Sequence, residues 1–372
     1  MKIILAVNTL GSFISHRRGL YLKLKESHDV RVILPTSETK NSTQKEIPEA
    51  QLLNIPMSRK GVNPLTELGS IVAYYQQYRK NTPDLVHHFT IKPVIYGTLA
   101  ARLAGVPKIV NSITGLGFVF TSNSLKAKIL GVLVKNLYRF CFSSPKVRVI
   151  FQNTDDRDFF VQQRIIQEDR CFLVEGSGVD VHKFTPSPNS DSVMGPKILL
   201  ASRLLIEKGI FEFIEALKLL KRKNLQFEVV IAGDIDPGNP GSISESQFNE
   251  WKRSGIANFL GFQKDMVSIL KSIDIACLPS YREGLPMALL EAMAAGKPLV
   301  TTEAPGCRST VREQKNGFLV PIKDPQALAK ALEKLISNPA LREQMGEESR
   351  RISVELFSTE KITSEIIKIY SV

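Results

Sequence analysis

Residues 274–303, DIACLPSYREGLPMALLEAMAAGKPLVTTE, decide the fold. DIACLPS reads as a buried strand, SYREGL as a polar loop, PMALLEAMAAG as a helix with Pro286 at its first position, and PLVTTE as a second buried strand. Neither strand alternates polar and apolar residues, so both faces of the sheet are covered, as in parallel βαβ connections. The pattern extends both ways. KILLAS (197–202), FEVVIAG (227–233), NFLGF (258–262) and GFLVP (317–321) are further strands, with helical stretches between them. Upstream of a break rich in Pro, Ser, Asn and Asp, FTPSPNSDSVMGP (184–196), the alternation runs through KIILAVN (2–8), VRVILP (30–35), DLVHHF (84–89), KIVNSI (108–113) and RVIFQN (148–153), with helices over 17–25, 64–79 and 92–103. The expected architecture is α/β: two Rossmann-like, doubly wound parallel-sheet domains at 1–190 and 191–355 facing a deep cleft, with a helix in 356–372 crossing back to the first. A length of 372 residues fits two domains of ordinary size.

In such sheets ligands bind outside the carboxyl ends of the strands. In SRLLIEKG (202–209), Arg203 and Lys208 can reach a phosphate, the first as a bidentate fork and the second as a point charge; a solvated loop is the alternative. In the segment 279–298, the N–H groups of Gly284, Leu285 and the turn after Pro286 can hold phosphate oxygens. Glu283 and Glu291 lie at different depths beside them. Two carboxylates cannot both bind phosphate, and they suit hydroxyls of a sugar and a ribose flanking a diphosphate. After the first strand, Gly11 leaves room for an anion ahead of a helix starting near Ser15 or His16. That loop is not GxGxxG, and VRVILP is followed by Thr36 rather than an acid, so NAD binding is disfavoured.

Composition excludes other classes. Hydrophobic residues at 43 % and charged residues at 23 % describe a globular chain, neither disordered nor a coiled coil. No apolar run reaches about 18 residues and no signal peptide is visible, so the chain is expected to be neither exported nor membrane-spanning by its own signals. Cys141, Cys171, Cys277 and Cys307 lack metal-ligand spacing and read as free thiols in a reducing compartment. The net charge of +12 calls for an anionic partner. Residues 1–190 hold 25 Lys/Arg against 14 Asp/Glu, and residues 85–154 hold nine Lys/Arg and no acid. Nucleic acid fits the charge alone, but no aromatics interleave with the basic residues, and Trp251 lies in the less basic half. Within SLKAKILGVLVKNLYRFCF (124–142), Leu130, Leu133, Leu137 and Phe140 share one helical face, and Lys128, Lys135 and Arg139 the opposite one. Such a helix either lies on an anionic bilayer or packs its apolar face on the sheet.

Arg203 with Lys208-Gly209, and Glu283-Gly284-Leu285-Pro286 with Glu291 eight positions on, closely resemble glycosyltransferase family 4, the retaining enzymes of GT-B fold, over essentially the whole chain. The resemblance implies that Arg203 and Lys208 grip the donor diphosphate, Glu283 contacts the donor sugar, and Glu291 holds the ribose. It places Phe262, Gln263 and Lys264 at the base pocket and likens EGSGVD (175–180) to the family's interdomain segment. The family's strand-end histidine falls at Phe89 or, with a one-residue shift, at His88. His16, Arg17, Gly115, Leu116, Gly117 and Ser177 are the other candidates for acceptor or sugar contacts. HFTIKPVIYGTLAARLAGVPKIV and SITGLGFVFTS look most like bacterial members that extend polyprenyl-diphosphate-linked sugars. The implied partners are a UDP-N-acetylhexosamine, as co-substrate rather than cofactor, a lipid-linked acceptor, and the cytoplasmic face of the membrane, with no nucleic acid. A nucleotide-sugar epimerase on the same fold is the alternative. Asp234-Ile235-Asp236 is formally a metal motif, but the following PGNPG marks a polar turn, and no metal is expected. With retention, the resemblance implies front-face attack in which the departing diphosphate accepts the proton, and no protein nucleophile is then needed.

Overall fold

The computed structural model describes residues 1–39, 46–58, 64–116, 120, 125–187 and 194–372. They form two compact units, Met1–Ser177 with Ile362–Val372, and Gly178–Lys361.

The first unit holds β1 (Lys2–Ala6), β2 (Asp29–Pro35), β3 (Gln51–Ile55), β4 (Leu85–Phe89), β5 (Lys108–Ile113), β6 (Val147–Phe151) and β7 (Cys171–Leu173), in the order β3-β2-β1-β4-β5-β6-β7. Every pairing is parallel. Its helices are α1 (Leu10–His16), α2 (Arg18–Lys25), α3 (Pro64–Asn81), α4 (Thr98–Ala104), α5 (Leu125–Phe142) and α6 (Thr154–Gln162). One face of the sheet is covered by α3 to α6 through Tyr74, Tyr78, Ala101, Tyr138, Phe142 and Phe160. The other face packs Phe13, Tyr21 and Leu24 of α1 and α2 with Ile366 and Tyr370 from the C-terminal helix. The helix expected over 92–103 opens with a π-turn at Pro93–Gly97. Gly97 lies against the His88 ring, where a Cβ would stand 2.5 Å from its nearest atoms.

The second unit holds β8 (Lys197–Ala201), β9 (Glu228–Ala232), β10 (Asn258–Gly261), β11 (Ile275–Leu278), β12 (Leu299–Thr302) and β13 (Gly317–Val320), in the order β10-β9-β8-β11-β12-β13. The ladders between these strands are all parallel. Between and after the strands run α7 (Ile210–Arg222), α8 (Glu245–Arg253), α9 (Met266–Lys271), α10 (Met287–Ala294), α11 (Pro325–Ile336), α12 (Pro339–Leu356) and α13 (Thr359–Ser371). The unit starts at Gly178 because the Val179 N–H donates to Phe357 O at 2.8 Å and Val179 O accepts from the Thr359 N–H at 3.0 Å. Val181 and Phe184 join its core, so residues 178–187 go with the second unit. The end of α13 belongs to the first, where Tyr370 Oη pairs with His87 Nδ1 at 2.7 Å.

In both sheets the chain starts in the middle and winds outward both ways. The winding reverses between β1 and β4 in the first unit and between β8 and β11 in the second. At such switch points the loops leaving two adjacent strands diverge and leave a crevice for a ligand.

Candidate active site

At the second unit's switch point, Gly209 has φ +72° and a Cβ there would stand 2.1 Å from Pro279 O. Only glycine lets the loop leaving β8 lie against the exit of β11. The Tyr281 N–H donates to Glu207 O at 2.8 Å, and the Tyr281 hydroxyl to Glu212 Oε1 at 2.7 Å, fastening the two loops. Lys208 Nζ is thereby set 2.5 Å from Glu283 Oε1, with the side chains only 14 % and 15 % exposed. The Ser280 hydroxyl donates to the same oxygen at 2.8 Å. The backbone beneath is held from a third loop. The Glu283 N–H donates to Pro305 O at 3.0 Å. At Gly306, φ +77°, a Cβ would stand 2.4 Å from Glu283 O and 2.5 Å from Gly284 O. Sequence reasoning missed Ser280 and Gly306; the Pro305-Gly306 dipeptide was the available turn signal.

Pro286 is the cap of α10 rather than its first residue, and its carbonyl accepts the Leu289 N–H at 3.1 Å and the Leu290 N–H at 3.2 Å. Leu285 is buried in the core. Glu291 lies in the second turn, where burial pushes its carboxyl up to about 7 against the opposing pull of Lys183.

Arg203 is half-exposed and pairs with Asp236 Oδ2 at 2.7 Å. Asp236 also accepts from Asn239 Nδ2 at 3.1 Å, and Asp234 Oδ2 accepts the Phe262 N–H at 2.8 Å. Both carboxylates thus build the loops leaving β9 and β10, and no group of three or more His, Cys, Asp or Glu gathers among the described residues. Phe262 and Lys264 are exposed, while the Gln263 amide donates to Leu260 O at 2.6 Å.

In the first unit, α1 begins at Leu10, earlier than expected, because Thr9 caps it by accepting the Ser12 N–H at 3.1 Å. Gly11 sits in its first turn, with nothing within 4 Å of where a Cβ would stand. His88 is enclosed rather than presented at the strand end. Its Nε2 pairs with Tyr78 Oη at 2.8 Å and its Nδ1 with Asn111 Oδ1 at 2.9 Å, and burial lowers its pKa to about 4. His87 is likewise buried, between Tyr370 and Ser112. The strand ends at Phe89, and the Arg17 guanidinium carbon lies 4.2 Å above the centroid of that ring. Arg17 is buried, which lowers its pKa to about 10, and burial with the Arg17 charge lowers that of His16 to about 4.

Leu116 is core, Gly115 beside it has φ +128°, and Ser177 Oγ accepts from Gln152 Nε2 at 3.4 Å. Gly117 and the Lys128 side chain lie outside the described residues. Lys135 donates to Gln163 Oε1 at 3.1 Å, and Arg139 to Gln163 O at 2.7 Å. Of the α5 face expected to be apolar, Leu130, Leu133 and Phe140 are exposed, whereas Leu137 packs against the core beside Val134, Tyr138 and Cys141.

Two parallel sheets of the same winding, the second with a Lys–Glu–Ser cluster set by glycines at its switch point, define a two-domain α/β protein of the GT-B fold. The chain belongs to glycosyltransferase family 4: the family described as Glycosyl transferases group 1 matches residues 186–352, and Glycosyl transferase 4-like matches residues 2–154. The N,N'-diacetylbacillosaminyl-diphospho-undecaprenol alpha-1,3-N-acetylgalactosaminyltransferase of Campylobacter jejuni is 27 % identical over 374 aligned positions, covering 97 % of this chain and 96 % of the relative. The UDP-Gal:alpha-D-GlcNAc-diphosphoundecaprenol alpha-1,3-galactosyltransferase of Escherichia coli is 28 % identical, covering 85 % of this chain and 82 % of its own. Among solved structures, sucrose-phosphate synthase of Thermosynechococcus elongatus matches at TM-score 0.81 and 18 % identity, covering 100 % of this chain and 98 % of its own. HepE of Anabaena in complex with UDP and glucose matches at TM-score 0.80 and 20 % identity, covering 100 % and 99 %. At these identities the structural likeness is one of fold.

Proposed function

We propose that this glycosyltransferase moves an N-acetylhexosamine from a UDP-sugar to a polyprenyl-diphosphate-linked saccharide, with retention and without a metal, at the cytoplasmic face of a bacterial membrane. The observation that carries the reading is the enclosed Lys208–Glu283 pair, with Ser280, at the second switch point. A fixed cation there can stabilise charge developing on a departing diphosphate, and the carboxylate can accept from a sugar hydroxyl. Arg203 supplies a second cation, and Glu291 accepts from the ribose once ionised. The acceptor hydroxyl oxygen bonds to the anomeric carbon as the bond from that carbon to the diphosphate oxygen breaks on the same face. The acceptor proton passes to the departing oxygen.

Metal independence is supported by the engagement of Asp234 and Asp236 in loop hydrogen bonds and an ion pair. The lipid-diphosphate acceptor is supported by the two relatives above, both of which are named for undecaprenol-linked substrates. Their donors differ, and the N-acetylhexosamine follows the relative that covers more of this chain. Membrane contact is supported by the outward Leu130, Leu133 and Phe140 in the acid-free stretch; among the described residues no helix is long and apolar enough to cross a membrane. The test combines purified protein, an undecaprenyl-diphosphate-linked saccharide and a panel of UDP-, GDP- and TDP-sugars. UDP release is expected only with a UDP-N-acetylhexosamine and the lipid acceptor together, with a retained anomer in the product and no loss in EDTA. Donor conversion without acceptor would point to an epimerase, and EDTA-sensitive transfer would remove the metal-free mechanism.

A further inference from the structure

At the first unit's switch point, between β1 and β4, polar atoms are buried without partners among the described residues. Arg17 joins α1 to α2, is 3 % exposed, and has its guanidinium over Phe89. Its Nε makes no hydrogen bond, nor does His16 Nδ1 beside it in the chain. Thr90, directly after Phe89, has φ +71°, strained for a β-branched residue, and its buried hydroxyl is also unpartnered. Of the acids on neighbouring elements, Glu38 accepts the Leu10 N–H at 3.0 Å, Glu67 pairs with Lys92 at 2.6 Å and Glu49 with Arg18 at 2.7 Å. The other titratable groups packed here, His87 and Tyr370, are held in their neutral forms by burial. A buried guanidinium with no counter-charge among the described residues is costly, and backbone strain of this kind gathers where a ligand is held.

We propose that Arg17, with the Thr90 hydroxyl, forms a diphosphate-binding site at the first switch point, taking the diphosphate of the lipid-linked acceptor while Lys208 and Arg203 serve that of the donor. The Phe89 ring, with its centroid 4.2 Å from the guanidinium carbon, anchors the group, and the arginine fork can meet two phosphate oxygens where a lysine would offer a point charge. Neutral His16 adds a polar ring without a second charge. That the anion comes from the acceptor rests on the transferase reading; the anion site itself does not.

The test titrates wild-type protein and the Arg17→Gln variant with inorganic pyrophosphate in saturating UDP, so that the donor site is occupied, and also follows transfer kinetics. Wild-type protein is expected to bind one pyrophosphate. Arg17→Gln is expected to weaken that binding tenfold or more and to raise the acceptor KM by a similar factor, with UDP affinity and donor KM unchanged. Pyrophosphate binding that ignores the substitution, or UDP affinity that falls with it, overturns the proposal. Should Arg17→Gln fail to fold, Arg17→Lys, which keeps the charge and loses the fork, and Thr90→Gly, which relieves the backbone and removes the hydroxyl, decide it. Each is expected to weaken pyrophosphate several-fold, and unaltered binding in both overturns the site. Arg17-dependent pyrophosphate binding without any transfer to lipid acceptor leaves the site standing and sinks the transferase reading. Transfer whose acceptor KM ignores Arg17 does the reverse.

Discussion

The two switch points occupy the same place in two sheets of the same winding, and the Lys208 cluster of one and the Arg17 group of the other are partnered differently. Between β8 and β11, Lys208, Glu283 and Ser280 satisfy one another within one cluster. Between β1 and β4, Arg17, His16 and Thr90 each bury a polar atom with no partner among the described residues. A ligand entering the first kind of site exchanges hydrogen bonds that already exist, whereas one entering the second supplies bonds that are missing. The partnered cluster is pre-organised chemistry. The unpartnered one is built to be completed.

The largest expected effect breaks the partnered cluster. Glu283→Gln and Lys208→Ala each leave the other group without its counter-charge, and each is expected to lower transfer by about 100- to 1,000-fold while the protein stays folded. Because the two act as a unit, the double variant is expected to lose little more than either alone in initial-rate measurements. Losses that multiply would show that Lys208 and Glu283 contribute separately.

The next effect separates the two units by pH. Burial raises the Glu291 carboxyl from its ordinary 4.5 to about 7, so between those values the folded protein binds more protons than the unfolded chain and stability falls as pH rises. The span corresponds to about 3 kcal/mol, gone by about pH 7 and flat above it. In the first unit the sign is reversed. His16 and His88 are lowered from 6.5 to about 4, so the stability they contribute is lost as pH falls through that window. Urea unfolding of Glu291→Gln across pH 4 to 8 is expected to remove the falling component and leave the rising one. The same variant is expected to bind UDP-sugar more weakly if Glu291 holds the ribose. A stability curve unchanged by the substitution would mean that Glu291 is solvated.

What the sequence made legible follows the same division. The central strands were legible because both faces are buried and their apolar runs are unbroken, β1 and β11 among them. The edge strands β3 and β7 were not, since QLLNI is half-exposed and CFL spans three residues. Lys208 and Glu283 stood out because charged residues directly follow buried strands beside glycines. Gly306 did not, because its constraint is a backbone contact with a distant loop, which leaves no local pattern. Arg17 and His88 were visible as residue types but not as environments. Whether a histidine ends a strand or fills the core depends on where β4 stops, and it stops at Phe89.

Gly306 and Gly11 turn that point into a paired experiment. Gly306→Ala puts a Cβ 2.4 Å from Glu283 O in a left-handed conformation, and is expected to cost about 1–3 kcal/mol and to lower transfer, though no functional side chain is touched. Gly11 has open space around it in the first turn of α1, and Gly11→Ala is expected to raise stability by about 0.4–1 kcal/mol. A loss of UDP-sugar affinity in Gly11→Ala would show that the open space is used by the donor; unchanged affinity would leave Gly11 as helix alone.

The smallest expected effect on stability comes from the exposed counterpart of the enclosed pair. Arg203 and Asp236 lie at the same 2.7 Å range as a strong ion pair, but the arginine is 51 % exposed, where solvent screens the charges and side-chain entropy offsets the attraction. Arg203→Ala is therefore expected to change unfolding free energy by less than about 1 kcal/mol, with the melting profile nearly superposed on wild type. Its effect on UDP-sugar affinity is expected to be larger than on stability, because a bidentate guanidinium released from Asp236 matches two diphosphate oxygens. Asp236→Asn sharpens the reading: it frees Arg203 without removing it, so donor affinity is expected to hold or rise. If affinity instead falls in Asp236→Asn as far as in Arg203→Ala, the pair acts by shaping the loop after β9, and Lys208 is left as the diphosphate's principal cation.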